Sequence, residues 1–285
     1  MQVVVDIASL PSRPDDAHKS SVGRIMVVAG SMGERAMAGA AGLCANGALR
    51  AGAGLVCVAT QREALPIVAV LAPCATGMAL DFGADINSLA VGFGADVVAV
   101  GPGLGDRVTG AQVTDLLGRF SGKVVLDADA LNGLAQQGRW NARWPHNVVL
   151  TPHPGEMKRL CAGWGWDDPD ADRRKLACRF AGETGVVVVL KGARSVVADP
   201  DRVYVNQTGN SGMATGGAGD VLTGIIAALM GQKMSAFDAA VLGTHLHGLA
   251  GDFAAEELGR MSVTAADLVD FLPEALCDLA ERDSS

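Results

Sequence analysis

The chain has 285 residues and a formal net charge of −8, and 49% of its residues are hydrophobic. An acidic chain is not suited to bind nucleic acid or an anionic membrane surface, although backbone amides can still hold the phosphates of a nucleotide. No apolar run reaches the length of a membrane span, and the chain does not start with a basic and then apolar leader. Its six cysteines form neither a C-x-x-C pair nor a metal-ligand spacing, which predicts buried thiols in a reducing cytoplasm.

Strand and helix patterns alternate along the first two thirds of the chain, after a polar lead-in at residues 1–17. Short continuous apolar runs predict strands at 24–29, 55–59, 96–100, 123–126, 147–150 and 186–190. Helical patterns separate several of them, at 38–51, 63–71, 109–120 and 169–184. Strands that are apolar on both faces and alternate with helices are typical of a mainly parallel sheet covered by helices.

The last third of the chain has a different pattern. Residues 195–198 and 202–205 predict a hairpin, and only helices follow, at 218–230, 236–258 and 265–280. Ser235 with Asp238, and Thr264 with Asp267, have the capping-box spacing that begins the last two helices. No composition break, repeat or low-complexity linker divides the chain, so we expect a single α/β domain over residues 1–285.

A glycine-rich loop runs directly into the first of these helices. Five glycines fall within eleven residues: Gly209, Gly212, Gly216, Gly217 and Gly219. Glycine lets a ligand approach main-chain N–H groups, and a helix N-terminus attracts an anion through its free N–H groups and its dipole. The loop therefore predicts an anion site. Asp220 follows it, either as a carboxylate that favours the helix dipole or as a catalytic base, and the dipole is expected to lower its pKa.

Glycine and polar residues follow five of the predicted strands. They are Gly30, Gly103, Asp127, His153 and Lys191. Ligands of an open parallel sheet bind outside the carboxyl ends of its strands. We therefore expect these residues to lie at one edge of the sheet, around one cleft that the loop at 209–220 completes. This convergence favours an enzyme.

The residues alone leave several roles open. Asp127 and Asp129 either hold a cation or cap the next helix, and we favour capping for Asp129. His153 lies between two prolines that stiffen its turn, which favours a substrate contact over an ordinary surface position. Lys191 ends an apolar strand, where it either faces a phosphate or extends to solvent.

One segment resembles the signature of a known family. Residues 209–224 read Gly-Asn-Ser-Gly-Met-Ala-Thr-Gly-Gly-Ala-Gly-Asp-Val-Leu-Thr-Gly, similar to the ADP/ATP-dependent NAD(P)H-hydrate dehydratases, which are ribokinase-like. Further similar blocks precede this segment in the family's order, at 18–23, 27–31, 101–105, 127–132, 151–156 and 191–193. The resemblance implies a ribokinase-like three-layer α/β/α sandwich around a mainly parallel sheet. Many bacterial members carry an additional N-terminal epimerase domain, and we expect none here.

The resemblance also implies a reaction. A nucleotide phosphorylates the hydroxyl at C6 of the S form of NADH or NADPH hydrate, and loss of phosphate then restores the reduced cofactor. Asp220 would be the catalytic base that takes the hydroxyl proton. The implied hydrate-binding residues are Ala40, Gly103, His153 and Asp220. The implied nucleotide-binding residues are Lys191, Gly192, Ala193, Arg194, Ser195, Gly217, Ala218 and Gly219, of which the last three would stabilise charge on the transferred group through their N–H groups.

The implied partners are Mg²⁺ on the nucleotide phosphates, ADP as a better phosphoryl donor than ATP, a homo-oligomer such as a tetramer, and a separate NAD(P)H-hydrate epimerase. No set of metal ligands follows from the motifs. Two alternatives remain open. A small-molecule kinase of the same fold would act on a vitamin-precursor alcohol and release a stable phosphoester. A non-catalytic nucleotide-binding regulator would not require Asp220.

Overall fold

The computed structural model describes residues 1–81, 83–139, 144, 147–166 and 172–283. Its strands are β1 (Gln2–Val4), β2 (Arg24–Val28), β3 (Leu55–Thr60), β4 (Thr76–Ala79), β5 (Val97–Val100), β6 (Lys123–Leu126), β7 (Val148–Leu150), β8 (Val187–Leu190), β9 (Val196–Ala198) and β10 (Arg202–Val205). Its helices are α1 (Ala38–Arg50), α2 (Leu65–Leu71), α3 (Ile86–Phe93), α4 (Gly110–Arg119), α5 (Ala128–Gln137), α6 (Pro154–Gly163), α7 (Arg173–Thr184), α8 (Ala218–Gly231), α9 (Ala236–Leu258), α10 (Ala265–Asp270) and α11 (Leu272–Asp283).

All of the described strands form one sheet in the order β1-β10-β9-β8-β7-β6-β5-β2-β3-β4. The pairs β8–β9 and β9–β10 are antiparallel and the others are parallel, as predicted for a mainly parallel sheet with one hairpin. The β9–β10 hairpin lies where residues 195–198 and 202–205 predicted it.

Helices cover both faces of this sheet. Alternate residues of β2 show the division, since Ile25 and Val27 pack with α1, α2 and α8 to α11, whereas Met26 and Val28 pack with α3 to α7. Successive side chains of a strand point to opposite faces, so continuous apolar strands build two cores at once. The predicted three-layer α/β/α arrangement is confirmed.

Several elements were not predicted. β1 lies within the predicted polar lead-in and pairs with β10. β4 and α3 lie between residues 72 and 95, where the sequence predicts no element. α6 was not predicted, because the residues that begin it were interpreted as a site loop. For α5 the sequence predicted that a helix follows Asp127 and Asp129, but not its range. The predicted helix 265–280 is divided at Phe271 into α10 and α11, next to Pro273, which has no N–H to continue an earlier helix.

The predicted helix beginnings were correct where the capping signal was used. Thr264 and Asp267 form both bonds of a capping box, and the Ser235 side chain accepts the N–H of Asp238. The predicted start of the helix at 169–171 lies outside the described residues, and α7 is described from its N-cap Asp172. Among the described helices, none combines the length and apolarity that a membrane crossing requires.

Candidate active site

The carboxyl ends of five parallel strands bring the predicted motifs to one edge of the sheet. Gly30 follows β2, Gly103 follows β5, Asp127 follows β6, His153 follows β7 and Lys191 follows β8. These strands are neighbours in one parallel run. The prediction of a single edge is therefore confirmed.

Asp127 is the most enclosed charged group among the described residues of this edge. Its side chain is 1% exposed and its Oδ1 lies 2.6 Å from Lys191 Nζ. The Thr151 hydroxyl donates to Oδ1 at 2.8 Å and the Thr223 hydroxyl donates to Oδ2 at 3.0 Å. A buried carboxylate needs such partners. Asp127 occupies the N-cap position of α5, but its side chain makes no cap hydrogen bond.

Lys191 is held inward by carboxylates, and it does not extend to solvent. Its Nζ also lies 3.9 Å from Oε2 of Glu156, which is 5% exposed. Burial acts to lower the pKa of Lys191, but Asp127 and Glu156 together raise it above its ordinary value. Lys191 is therefore a fixed positive charge at the end of β8.

The turn at His153 begins α6. His153 Nδ1 accepts the N–H of Gly155 at 2.9 Å and that of Glu156 at 3.4 Å, and the Glu156 carboxylate accepts the N–H of His153 at 2.8 Å. His153 and Glu156 thus form a capping box. The His153 side chain is half exposed, and its Nε2 lies 3.4 Å from Glu156 Oε1. The imidazole is thus oriented at the sheet edge by its own helix.

The first turn of α8 forms the other wall of the site. Gly217 is left-handed, with φ of 93°, and no side chain caps this helix, which lies wholly within the described residues. The first N–H groups of a helix have no partner within it. A Cβ on Gly219 would lie 3.0 Å from Lys191 Nζ, so the N-terminus of α8 meets Lys191 directly. This places a helix N-terminus and the partly buried Lys191 ammonium side by side.

Asp220 lies in this first turn, and its pKa moves in the direction opposite to the prediction. Burial and, next, the charge of Asp127 raise the pKa of Asp220 to about 7, although Lys191 acts to lower it. The helix dipole is worth only about 0.3–1 kcal/mol in most settings, so loss of water and nearby carboxylates outweigh it. At neutral pH, Asp220 can therefore both accept and release a proton.

Ala40 and Gly103 form a second part of the edge. A Cβ on Gly103 would lie 2.9 Å from the Cβ of Ala40, and the Ser31 hydroxyl donates to the Gly103 carbonyl at 2.8 Å. The loop around Gly103 is also tied to α5, because the Asp129 carboxylate accepts the N–H of Gly105 at 2.7 Å. The prediction that Asp129 caps a helix is therefore wrong; it holds the glycine loop instead.

The loop at 191–195 is fixed by an arginine that the sequence analysis did not single out. Arg173 donates to the carbonyls of Leu190, Lys191 and Ala193 at 2.8–3.0 Å. The Ser195 hydroxyl donates to the Gly192 carbonyl at 3.1 Å. These contacts hold the backbone of the predicted nucleotide-binding loop beside the N-terminus of α8.

The glycine-rich loop is anchored by α9. The Asp252 carboxylate accepts the N–H of Gly209 at 2.8 Å and the side-chain amide of Asn210 at 2.9 Å. Asp252 lies 43 residues beyond Gly209, so no local pattern links the two. Thr151 and Thr223 were also missed, although both lie within motifs that were examined, because hydroxyl-to-carboxylate bonds leave no sequence signal.

The residue after Asp127 has a strained backbone conformation. Ala128 has a φ of 47°, which is unfavourable for a residue with a Cβ. Gly101 lies against the same turn, since a Cβ there would lie 1.8 Å from the Asp127 carbonyl oxygen. Such strain persists where surrounding contacts fix the backbone, and it is frequent at functional sites.

The described residues contain no group of three or more His, Cys, Asp or Glu side chains that could hold a metal. Carboxylates are nevertheless in excess at the site, because Asp127, Asp129 and Glu156 all act to raise the pKa of Asp220. A magnesium ion in proteins is commonly bound by one or two carboxylates together with substrate phosphates. The residues present therefore fit a cation that a nucleotide carries, and do not form a complete cage.

Comparison with known proteins decides the family. The family model described as NAD(P)H-hydrate dehydratase matches residues 25–274. The chain belongs to the NAD(P)H-hydrate dehydratase family. An ADP-dependent (S)-NAD(P)H-hydrate dehydratase of Neisseria meningitidis is 38% identical over 87% of this chain and 82% of its own. A bifunctional NAD(P)H-hydrate repair enzyme of Moorella thermoacetica is 45% identical over 96% of this chain.

The chain spans about half the length of the bifunctional relatives that it matches, 53% for the Moorella thermoacetica protein. Among solved structures, the ADP/ATP-dependent NAD(P)H-hydrate dehydratase of Bacillus subtilis, co-crystallised with ATP and Mg²⁺, is 29% identical, with a TM-score of 0.78 over 95% of each chain. The predicted ribokinase-like fold of this family member is thereby confirmed.

Proposed function

We propose that this chain is an ADP- or ATP-dependent dehydratase that restores NADH or NADPH from the S form of its hydrate. The carrying observation is Asp220, a carboxylate whose pKa is raised to about 7 at the uncapped N-terminus of α8 and beside Lys191. The family match and the (S)-NAD(P)H-hydrate dehydratase of Neisseria meningitidis support the choice of substrate.

Asp220 begins the reaction by taking the proton of the C6 hydroxyl. The hydroxyl oxygen attacks the terminal phosphorus of the nucleotide, and the bond from that phosphorus to the nucleotide breaks. The C6–O bond then breaks, phosphate leaves with the bonding electrons, and a proton leaves C5 to form the C5–C6 double bond of the dihydronicotinamide. A pKa near the working pH is the condition under which a general base is most effective.

The N-terminus of α8 holds the charge that develops on the transferred group. We propose that the N–H groups of Gly217, Ala218 and Gly219 bind the transferred phosphoryl oxygens, because preorganised N–H donors stabilise such charge without reorganisation. Gly219 has no side chain to block this approach, and Lys191 Nζ lies next to it. Lys191 supplies a positive charge whose position is fixed by Asp127.

The nucleotide and the hydrate lie on different strand ends. We place the nucleotide against the loop Lys191, Gly192, Ala193, Arg194 and Ser195 after β8. We place the hydrate against Ala40, Gly103 and His153, with Asp220 between the two. The observation that supports this division is the contact of Gly103 with Ala40 on one side and the arginine-held loop on the other.

Mg²⁺ is proposed to enter with the nucleotide and to neutralise its phosphate charge, which the excess of carboxylates at the site supports. A homo-oligomer such as a tetramer is supported by exposed apolar side chains on α2, where Val70 is 79% exposed.

A cytoplasmic location is supported by six cysteines that are all free thiols. The bifunctional relatives support a link to an epimerase that supplies the S form.

Recovery of absorbance from reduced nicotinamide tests this function. Purified protein is incubated with NADH hydrate, Mg²⁺ and either ADP or ATP that has been freed of contaminating kinases. We expect NADH to return with release of inorganic phosphate, faster with ADP than with ATP. A stable phosphoester without NADH would identify a small-molecule kinase, and nucleotide binding without any product would identify a regulator. Turnover with ATP alone would reverse the choice of donor.

A further inference from the structure

A cavity of about 840 Å³ lies beside the glycine loop that follows β5, among the start of α4, α5 and α6. The loop around Gly105, the outer face of α5 and the α6 residues Arg159, Ala162 and Gly163 line it. Its volume lies in the range of small-molecule sites. Asp220 and Lys191 do not line it, so it extends away from the reacting groups.

Three polar side chains connect this cavity to the glycine loop of the site. The Asp129 carboxylate accepts the N–H of Gly105 at 2.7 Å and the side-chain amide of Asn132 at 3.3 Å. The Asn132 amide oxygen in turn accepts Arg159 Nε at 2.8 Å. All three side chains line the cavity. Because each bond orients the next group, the position of the Arg159 guanidinium is fixed although the residue is exposed.

Within the described part of the chain, Arg159 forms no ion pair, so its two terminal guanidinium nitrogens can donate to a ligand. The arginines that form ion pairs there are Arg119, Arg179, Arg202 and Arg282. Arg159 uses Nε for Asn132, and its Nη1 lies near the His153 turn, 3.7 Å from where a Cβ of Gly155 would be. The two terminal nitrogens of a guanidinium are well suited to a phosphate.

The hydrate of a nicotinamide dinucleotide is larger than the reacting ring. A ribose, a diphosphate and an adenosine extend from its nicotinamide, and they need a place outside the pocket that Asp220 faces. On the nucleotide side, after β8, the loop that Arg173 holds occupies the space next to this pocket. On the hydrate side, the cavity is lined by Gly105, two residues beyond Gly103, and by Arg159, whose Nη1 lies near the His153 turn.

Resting on the proposed function, we propose that this cavity binds the ADP-ribose half of the hydrate, and that Arg159, oriented by Asn132, contacts its diphosphate. Asn132 is a positioning residue in this assignment, and Arg159 is a binding residue. The nicotinamide end then lies at Asp220, and the adenosine end lies along α5 and α6.

Binding of NADH, the product, tests this subsite without turnover. Fluorescence titration in the absence of nucleotide should give a Kd that rises about tenfold to a hundredfold in Arg159→Ala, the range expected for a charge-assisted hydrogen bond. Asn132→Ala should raise the Kd by less. Lys158→Ala removes the same charge from the adjacent exposed position on α6 and should leave the Kd unchanged.

Turnover separates the hydrate from the nucleotide as the source of the diphosphate. In Arg159→Ala, KM for NADH hydrate should rise and KM for ADP should stay constant. With the hydrate of reduced nicotinamide riboside, which has no phosphate, the wild type and the variant should be equal. A rise in KM for ADP instead, or an unchanged Kd for NADH in a folded variant, would overturn the subsite.

The two proposals fail separately. Arg159-dependent binding of NADH by a protein that does not convert the hydrate would retain the subsite and refute the dehydratase function. Conversion of the hydrate at equal rates and KM values by the wild type and Arg159→Ala would retain the function and refute the subsite.

Discussion

Two carboxylates at the same sheet edge have opposite surroundings. Asp127, at the end of β6, accepts bonds from Lys191, Thr151 and Thr223 and is 1% exposed. Asp220, in the first turn of α8, accepts no hydrogen bond from any described side chain, and its pKa is raised to about 7. A carboxylate such as Asp220, which is buried without donors, binds a proton more readily than one in water.

The difference assigns separate tasks to the two groups. Asp127 fixes Lys191 and the strand ends around it, and its charge is the second cause, after burial, that raises the pKa of Asp220. The charge of Asp127 thus helps to set the pKa of Asp220. Variants should therefore differ in their main effect: Asp220→Asn should chiefly lower turnover, and Asp127→Asn should chiefly lower the free energy of unfolding.

The largest expected effect is the loss of turnover in Asp220→Asn. An amide cannot take the hydroxyl proton, and general-base help is worth about 10²- to 10⁴-fold in rate. The rate of NADH recovery should fall by that order, while calorimetric ADP affinity stays close to the wild type. Turnover equal to the wild type would leave Asp220 with only the role of favouring the helix dipole.

The same variant should be more stable than the wild type, which a simple cap would not predict. A carboxyl whose pKa is raised on folding stabilises the protein below its unfolded pKa, and this contribution is lost as pH rises through the folded value, here about 7. Asp220→Asn should therefore melt several degrees above the wild type at pH 8, and the difference should become small at pH 4. A lower Tm at pH 8 would contradict the assignment.

Asp127→Asn should chiefly reduce stability. It leaves Lys191 without its partner at 2.6 Å, and removal of one member of a buried pair costs about 3 kcal/mol or more. Denaturant unfolding measures this loss. Asp115→Asn is the control, because Asp115 pairs with Arg119 at an exposed surface, where a pair is worth about 1 kcal/mol or less. Equal losses of unfolding free energy in the two variants would show that the burial of Asp127 does not increase the contribution of its ion pair to stability.

The pH profile of turnover connects the two groups. Because the base must be ionised, kcat/KM should fall about tenfold per pH unit below a pKa of about 7. Asp127→Asn removes one cause of the raised pKa of Asp220, so its profile should be displaced to lower pH. A profile that is flat from pH 5 to 8 in the wild type would exclude Asp220 as the titrating base.

The sequence was sufficient to predict which residues lie at the strand ends. It was insufficient to predict the hydrogen bonds that connect these residues to distant parts of the chain. Gly103, His153 and Lys191 were placed correctly because apolar runs fix the strands and parallel pairing fixes the edge. The partners of Asp127 and the anchoring of Gly209 by Asp252 join residues 24 to 96 positions apart. No periodicity encodes such bonds.

The incorrect pKa direction for Asp220 has the same origin. A helix N-terminus is visible in the sequence, but the carboxylates that approach Asp220 come from β6, α5 and α6 and become its neighbours only in the folded chain. The sequence therefore predicted the direction in which the helix dipole shifts the pKa of Asp220, and this effect is smaller than that of burial and the surrounding carboxylates. The residues that carry the motifs were found from the sequence, and their electrostatics required the fold.

The smallest expected effect concerns His153, whose two roles can be separated. His153→Ala removes the acceptor for the N–H of Gly155, and loss of an N-cap costs about 1 kcal/mol. His153→Asn keeps a capping acceptor but not an imidazole. We expect the alanine variant to lose stability, both variants to show a higher KM for the hydrate, and neither to change ADP affinity. If the asparagine variant restores hydrate use together with stability, His153 acts only as a cap. A large loss of ADP affinity in either variant would instead place His153 on the nucleotide side, with Lys191.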